Sequence, residues 1–122
     1  MAATTESSRN TEVLLSEAPG TLSREQVTIV SGAGVLAAGT VLGKITASGK
    51  YTAYDDDNAD GSETAAAVSL YAVDASSADV ITSVVFRLAE LKSDKVVWAS
   101  TNDAGDKTAG IADLAAKHII IR

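Results

Sequence analysis

Residues 31–61, SGAGVLAAGTVLGKITASGKYTAYDDDNADG, constrain the fold more tightly than any other part of the chain. Gly32, Gly34, Gly39, Gly43 and Gly49 recur through a segment that is otherwise mostly Val, Leu, Ile, Ala and Thr. Glycine admits positive φ, so this pattern predicts short strands joined by tight bends. The stretch contains no pair of groups fit for covalent chemistry.

The rest of the chain extends the β reading. Alternation of Val27 and Ile29 with Gln26 and Thr28 predicts a strand near 24–30. Further strands are expected at 40–46, 50–54, 65–73, 79–88 and 95–99. The period then changes. Ile111, Leu114, Ala115 and His118 fall at helical spacing, predicting an amphipathic helix over about 103–117 with Asp103 as N-cap and Asp106 three positions on. Gly105 and Gly110 weaken that helix, and Ile119, Ile120 and Ile121 read as a closing strand. The expected class is mainly β with a short C-terminal helix (α+β).

Residues 1–20 differ in kind. They are polar, rich in Thr, Ser, Glu and Ala, and end at Pro19 and Gly20. Such a segment buries too little apolar area to offset its ordering entropy, so 1–20 reads as a flexible arm and 21–122 as the folded domain. One apolar triplet interrupts it: Val13, Leu14 and Leu15, beside Thr11 and Glu12. They are chance hydrophobes in a tail, or they dock on their own domain, or, as the sharper reading has it, they form a short strand on a partner.

Several chemistries are excluded by their missing parts. Asp56, Asn58, Asp60 and Gly61 open like a calcium loop, but the twelfth position, where a bidentate glutamate belongs, is Ala67. The acids Asp55, Asp56, Asp57, Asp60 and Glu63 therefore read as a solvated hairpin tip. In GTVLGKI the glycines are one residue too close for a phosphate loop, and Ile45 stands where Ser or Thr should bind magnesium. Gly32, Gly34 and Gly39 miss the dinucleotide spacing. His118 is the single histidine and stands where the helix must reverse, a capping position. With no cysteine and no nucleophile–base set, the chain reads as non-enzymatic, without a metal or other cofactor. Trp98, Tyr51, Tyr54 and Tyr71 fit a core or an interface equally well.

The formal charge of −6, from ten Lys and Arg against sixteen Asp and Glu, argues against direct nucleic-acid binding. No apolar run reaches the roughly 18–20 residues that span a bilayer, and the N-terminus lacks the pattern of a signal peptide. No membrane partner is expected, and synthesis is expected in the host cytoplasm. An alanine-rich core buries little area per side chain, which gives the domain a reason to self-associate.

The order AAGTVLGKITASGKYTAYD, then Asp60 and Gly61, then TAAAVSLYAVD, resembles the head decoration proteins of lambda-like tailed phages. The resemblance runs over about 24–122 and ends in a helix leading directly into IIIR. Relatives often carry glycine before the closing strand, where this chain has His118. The resemblance implies a small β-clip-like or incomplete-barrel domain and a homotrimer. It also implies a place on the outer surface of the virion, at threefold and quasi-threefold sites of the expanded head. There the trimer binds the major capsid protein and stabilises the shell against DNA pressure, and the arm orders on the capsid. On that reading Thr11, Glu12, Val13, Leu14 and Leu15 add a strand to the major capsid protein. The alternative is a β-rich surface-binding module for glycans or other ligands, assisted by Ca²⁺ at 55–63.

Overall fold

The computed structural model describes residues 9–122, and positions 1–8 of the expected arm lie outside the described residues. Its first half holds β1 (Leu14–Glu17), β2 (Arg24–Ile29), β3 (Gly34–Leu36), β4 (Val41–Lys44) and β5 (Tyr51–Ala53). Then come β6 (Ala65–Ser69), β7 (Val73–Ala75), β8 (Val80–Val85), β9 (Ala89–Leu91), α1 (Ala104–Ala115) and β10 (Ile119–Ile121). The expected mainly β fold with a short C-terminal helix is what forms.

Five strands close into a barrel in the order β2-β5-β4-β6-β8. β2 closes it, pairing antiparallel with β8 from Arg24↔Val85 to Ile29↔Val80 and parallel with β5 at Ile29↔Tyr51. The barrel is thus complete where the resemblance left an incomplete one in view. β3 and β7 form a separate two-stranded ribbon, and β1, β9 and β10 form a three-stranded sheet. One core, with Ile29, Leu42, Tyr51 and Val84, belongs to the barrel and ribbon. A second, with Val13, Tyr54, Val68, Leu91, Leu114 and Ile119, joins the barrel to the three-stranded sheet and α1.

Gly43 is required by packing: a Cβ there would collide with the backbone of Ser62, which is itself fully buried. Gly39 has φ +89°, and a Cβ would strike the carbonyl oxygen of Lys95. The motif GTVLGKI is therefore a turn followed by a close backbone crossing.

The structure departs from the periodicity in three places. The long strand expected at 65–73 divides between β6 and β7, and the one expected at 79–88 ends at Val85; past it Leu88, with a φ of 53°, turns the chain out of the barrel and into the other sheet as β9. Residues 95–99 form no strand; Ser93–Lys95 is a 3-10 turn, and Val97 makes a single bridge to Thr40. Finally, the helix buries Gly110 and Leu114 and leaves Ile111 exposed. The reason is Gly110, where a Cβ would lie 2.7 Å from the Trp98 ring. The glycine that lowers helix propensity is what lets α1 seat against Trp98 and Tyr54. Asp103 caps α1 in a full capping box with Asp106, and His118 ends the reversal at φ 61°.

Candidate functional site: the N-terminal strand and its sheet

Residues 11–17 are bound to the domain, in contrast to the expected flexible arm over 1–20. Thr11 takes a left-handed φ of 63°, and its N–H donates to the Leu70 carbonyl at 2.6 Å. Glu12 anchors the turn: its carboxylate accepts from the Arg9 N–H at 2.8 Å and pairs with Lys95 Nζ at 3.2 Å. The Arg9 amide first, and Lys95 second, hold the Glu12 carboxyl below its usual range. Val13 is 2% exposed, inside the second core, and its carbonyl accepts from Lys92 N–H at 2.8 Å. Leu14 packs partly buried on the same core. Composition hid this docking, because a polar segment needs few anchors when they are well buried.

β1 then pairs antiparallel with β9, Leu14 opposite Leu91 and Glu17 opposite Ala89. β10 pairs parallel on the far side of β9. β1 is therefore an edge strand: one side is bonded to β9 and the other meets no strand among the described residues. Leu15 is the outward residue of the triplet, 49% exposed. Of the five candidate residues, then, Thr11, Glu12 and Val13 fasten the strand, Leu14 rests on the core, and Leu15 faces out.

The outer face of this sheet is a polar ladder flanked by aliphatics. Ser16 Oγ donates to Glu90 Oε1 at 2.9 Å, and Arg122 pairs with the other Glu90 oxygen. Arg24 grips Glu17 through two nitrogens at 2.9 Å, a geometry that raises the arginine's proton affinity. Leu88 and Ile120 are both exposed and line a shallow depression with Ser16, Glu17 and His118. Sequence reasoning missed Leu88 because it assigned that residue to a single long strand.

The other candidates resolve into structural roles. Tyr51 and Tyr54 are buried, Tyr54 OH donates to the Asp106 carbonyl at 2.8 Å, and its ring meets Trp98 edge-on at 6.0 Å. Burial, with Asp56 nearby, pushes the Tyr54 hydroxyl up to about 12. In the acidic tip the oxygens serve the loop itself. Asp60 Oδ1 accepts from Ser62 N–H at 3.0 Å, Asp55 Oδ1 from Asp57 N–H at 3.0 Å, and Asp55 Oδ2 from Thr101 Oγ1 at 2.6 Å. Ala67 is buried in β6, far from any ligand role.

Fold and surface together define a class: a small, mainly β binding protein whose accessible features are a sheet edge and aliphatics around a polar ladder. The chain matches the family model of bacteriophage lambda head decoration protein D over residues 3–119, and it belongs to that family. No curated protein matches it. Membership supports a structural role in decorating the phage head and a location in the virion capsid.

Proposed function

We propose that this protein is a non-enzymatic stabiliser of the phage head. Trimers bind the major capsid protein on the outer surface of the expanded shell, at threefold and quasi-threefold sites, and brace it against internal DNA pressure. The observation that carries this reading is the family match over 3–119. Attachment is through the N-terminal segment. Among the described residues β1 offers an edge that pairs with no strand on its outer side, and an edge strand is a template for strand addition. Main-chain hydrogen bonds along that edge supply affinity, and Leu15 supplies an apolar contact for register. Thr11, Glu12, Val13 and Leu14 hold the edge in place from within the domain. Three such edges per trimer make the later contacts intramolecular, so weak single contacts sum to tight attachment.

Sedimentation velocity tests the oligomer, and binding of the purified protein to undecorated heads tests the attachment. The reading expects a trimer, and it expects Leu15→Ser to weaken head binding without altering the trimer. Equal binding by Leu15→Ser and the parent would remove this residue from the interface.

A further inference from the structure

Phe86 lies just beyond the end of β8, and two cations stand over its ring. Lys117 Nζ is 4.0 Å from the ring centroid and Arg87 Cζ is 4.9 Å away. Lys44, at the end of β4, adds a third positive charge close enough to act on Lys117. Burial, then Lys44 and Arg87, pull the Lys117 ammonium below the usual lysine range. Arg87 is answered by Glu25 at 2.7 Å and by the Leu22 carbonyl at 2.6 Å. Lys44 and Lys117 have no salt-bridge partner among the described residues. A chain with sixteen acids thus gathers three cations at one spot and neutralises one of them.

Phe86 lines a cleft of about 510 Å³ with Lys44, with Arg87 and its partner Glu25, and with Val27, Tyr51 and Ile81, while Lys117 stands over the Phe86 ring outside that lining. Ile81 is 70% exposed there. The geometry points to this cleft as a docking site for an acidic peptide segment of the partner protein, a carboxylate flanked by an aliphatic side chain. The carboxylate answers Lys44, with Lys117 adding positive charge from over the Phe86 ring, and the aliphatic neighbour covers Ile81. A small anion would leave the apolar wall bare. A nucleic acid would meet an overall charge of −6 and no extended basic stripe. The inference rests on the capsid-decoration reading for its partner, the shell protein. Lys117 is also tied to the β1 sheet: Leu88, which lines the depression beside Ser16 and Glu17, donates its N–H to the Lys117 carbonyl at 3.4 Å.

Undecorated expanded heads are titrated with the parent, with Lys44→Glu/Lys117→Glu, and with Lys92→Glu/Lys107→Glu, which changes net charge equally at other positions. The cleft variant should bind at least about ten-fold more weakly at low salt, and the control less than about two-fold. The gap should narrow as salt shortens the screening length towards about 3 Å at 1 M. Equal losses in both variants, or none in the cleft variant while the parent binds, would overturn the cleft and leave the decoration reading standing. A second arm needs no capsid: the free protein is titrated with an alternating Leu-Glu peptide, and the Phe86 ring and Lys117 signals are followed by NMR. The signals should move in the parent and not in Lys44→Gln, a mild change at an exposed position. Their movement without any head binding would sink the decoration reading instead. A response to inorganic phosphate with none to the peptide would refute the peptide site.

Discussion

Val13 distinguishes a docked N-terminal segment from a free one. Its side chain is 2% exposed among Leu91, Leu114 and Ile119. Val13→Ala removes two methyl groups, worth about 0.8 kcal/mol each, and leaves a small cavity, for a total of about 2–2.5 kcal/mol. With an unfolding entropy of about 2.1 cal/mol/K per residue over 122 residues, the midpoint should fall by about 8–10 °C. Leu15→Ser, at a position 49% exposed, should stay within about 0.5 kcal/mol, or about 2 °C. Thermal unfolding at one fixed protomer concentration is the assay, since association also shifts the midpoint. If Val13→Ala unfolds within about 2 °C of the parent, the segment is not part of the folded core and the reasoning fails. The same logic predicts that removing residues 1–20 destabilises the domain, which a purely flexible arm would not do.

Three further outcomes follow from local geometry. Gly110→Ala should destabilise by about 1–3 kcal/mol despite alanine's better helix propensity, because the new methyl meets Trp98; urea unfolding measures it. His118→Gly should stabilise by about 1 kcal/mol in the same assay, by relieving the left-handed backbone at φ 61°. The third concerns pH. Glu12, Asp55, Asp60, Asp74 and Asp79 have folded pKa values below their ordinary 4.5 and 3.8. Their stabilisation is complete above the ordinary values and is lost as pH falls through the folded ones, so the urea midpoint should drop below about pH 4. Asp56 runs the other way, raised by burial and by Asp106, so Asp56→Asn should raise the midpoint at neutral pH and not in strong acid, where the carboxyl is protonated in both states.

Much of the barrel was legible because alternation records burial on one face, as at Val27 and Ile29 and at Thr82 and Val84. The cap at Asp103 and the reversal at His118 were legible because their chemistry is local. What escaped depends on contacts between distant residues. Gly110 reads as a helix breaker until Trp98, twelve positions earlier, is seen against it. Leu88 reads as strand until its positive φ sends β9 to a different sheet. The polar composition of 1–20 concealed that Val13 is a core residue, since burial of one side chain leaves no periodic trace. The Phe86 cluster joins cations from β4, the end of β8 and the end of α1, positions 44, 87 and 117, whose convergence no linear pattern displays.

Decoration of the expanded head through the β1 edge, as proposed above, can be seen by imaging. Undecorated expanded heads mixed with the purified protein and imaged by cryo-electron microscopy should show three-lobed density on the outer surface at threefold and quasi-threefold positions, with β1 against the shell and continuous with a strand of the major capsid protein. Heads that stay bare at saturating protein would contradict the decoration role. Lobes that meet the shell with β1 facing solvent would contradict the attachment.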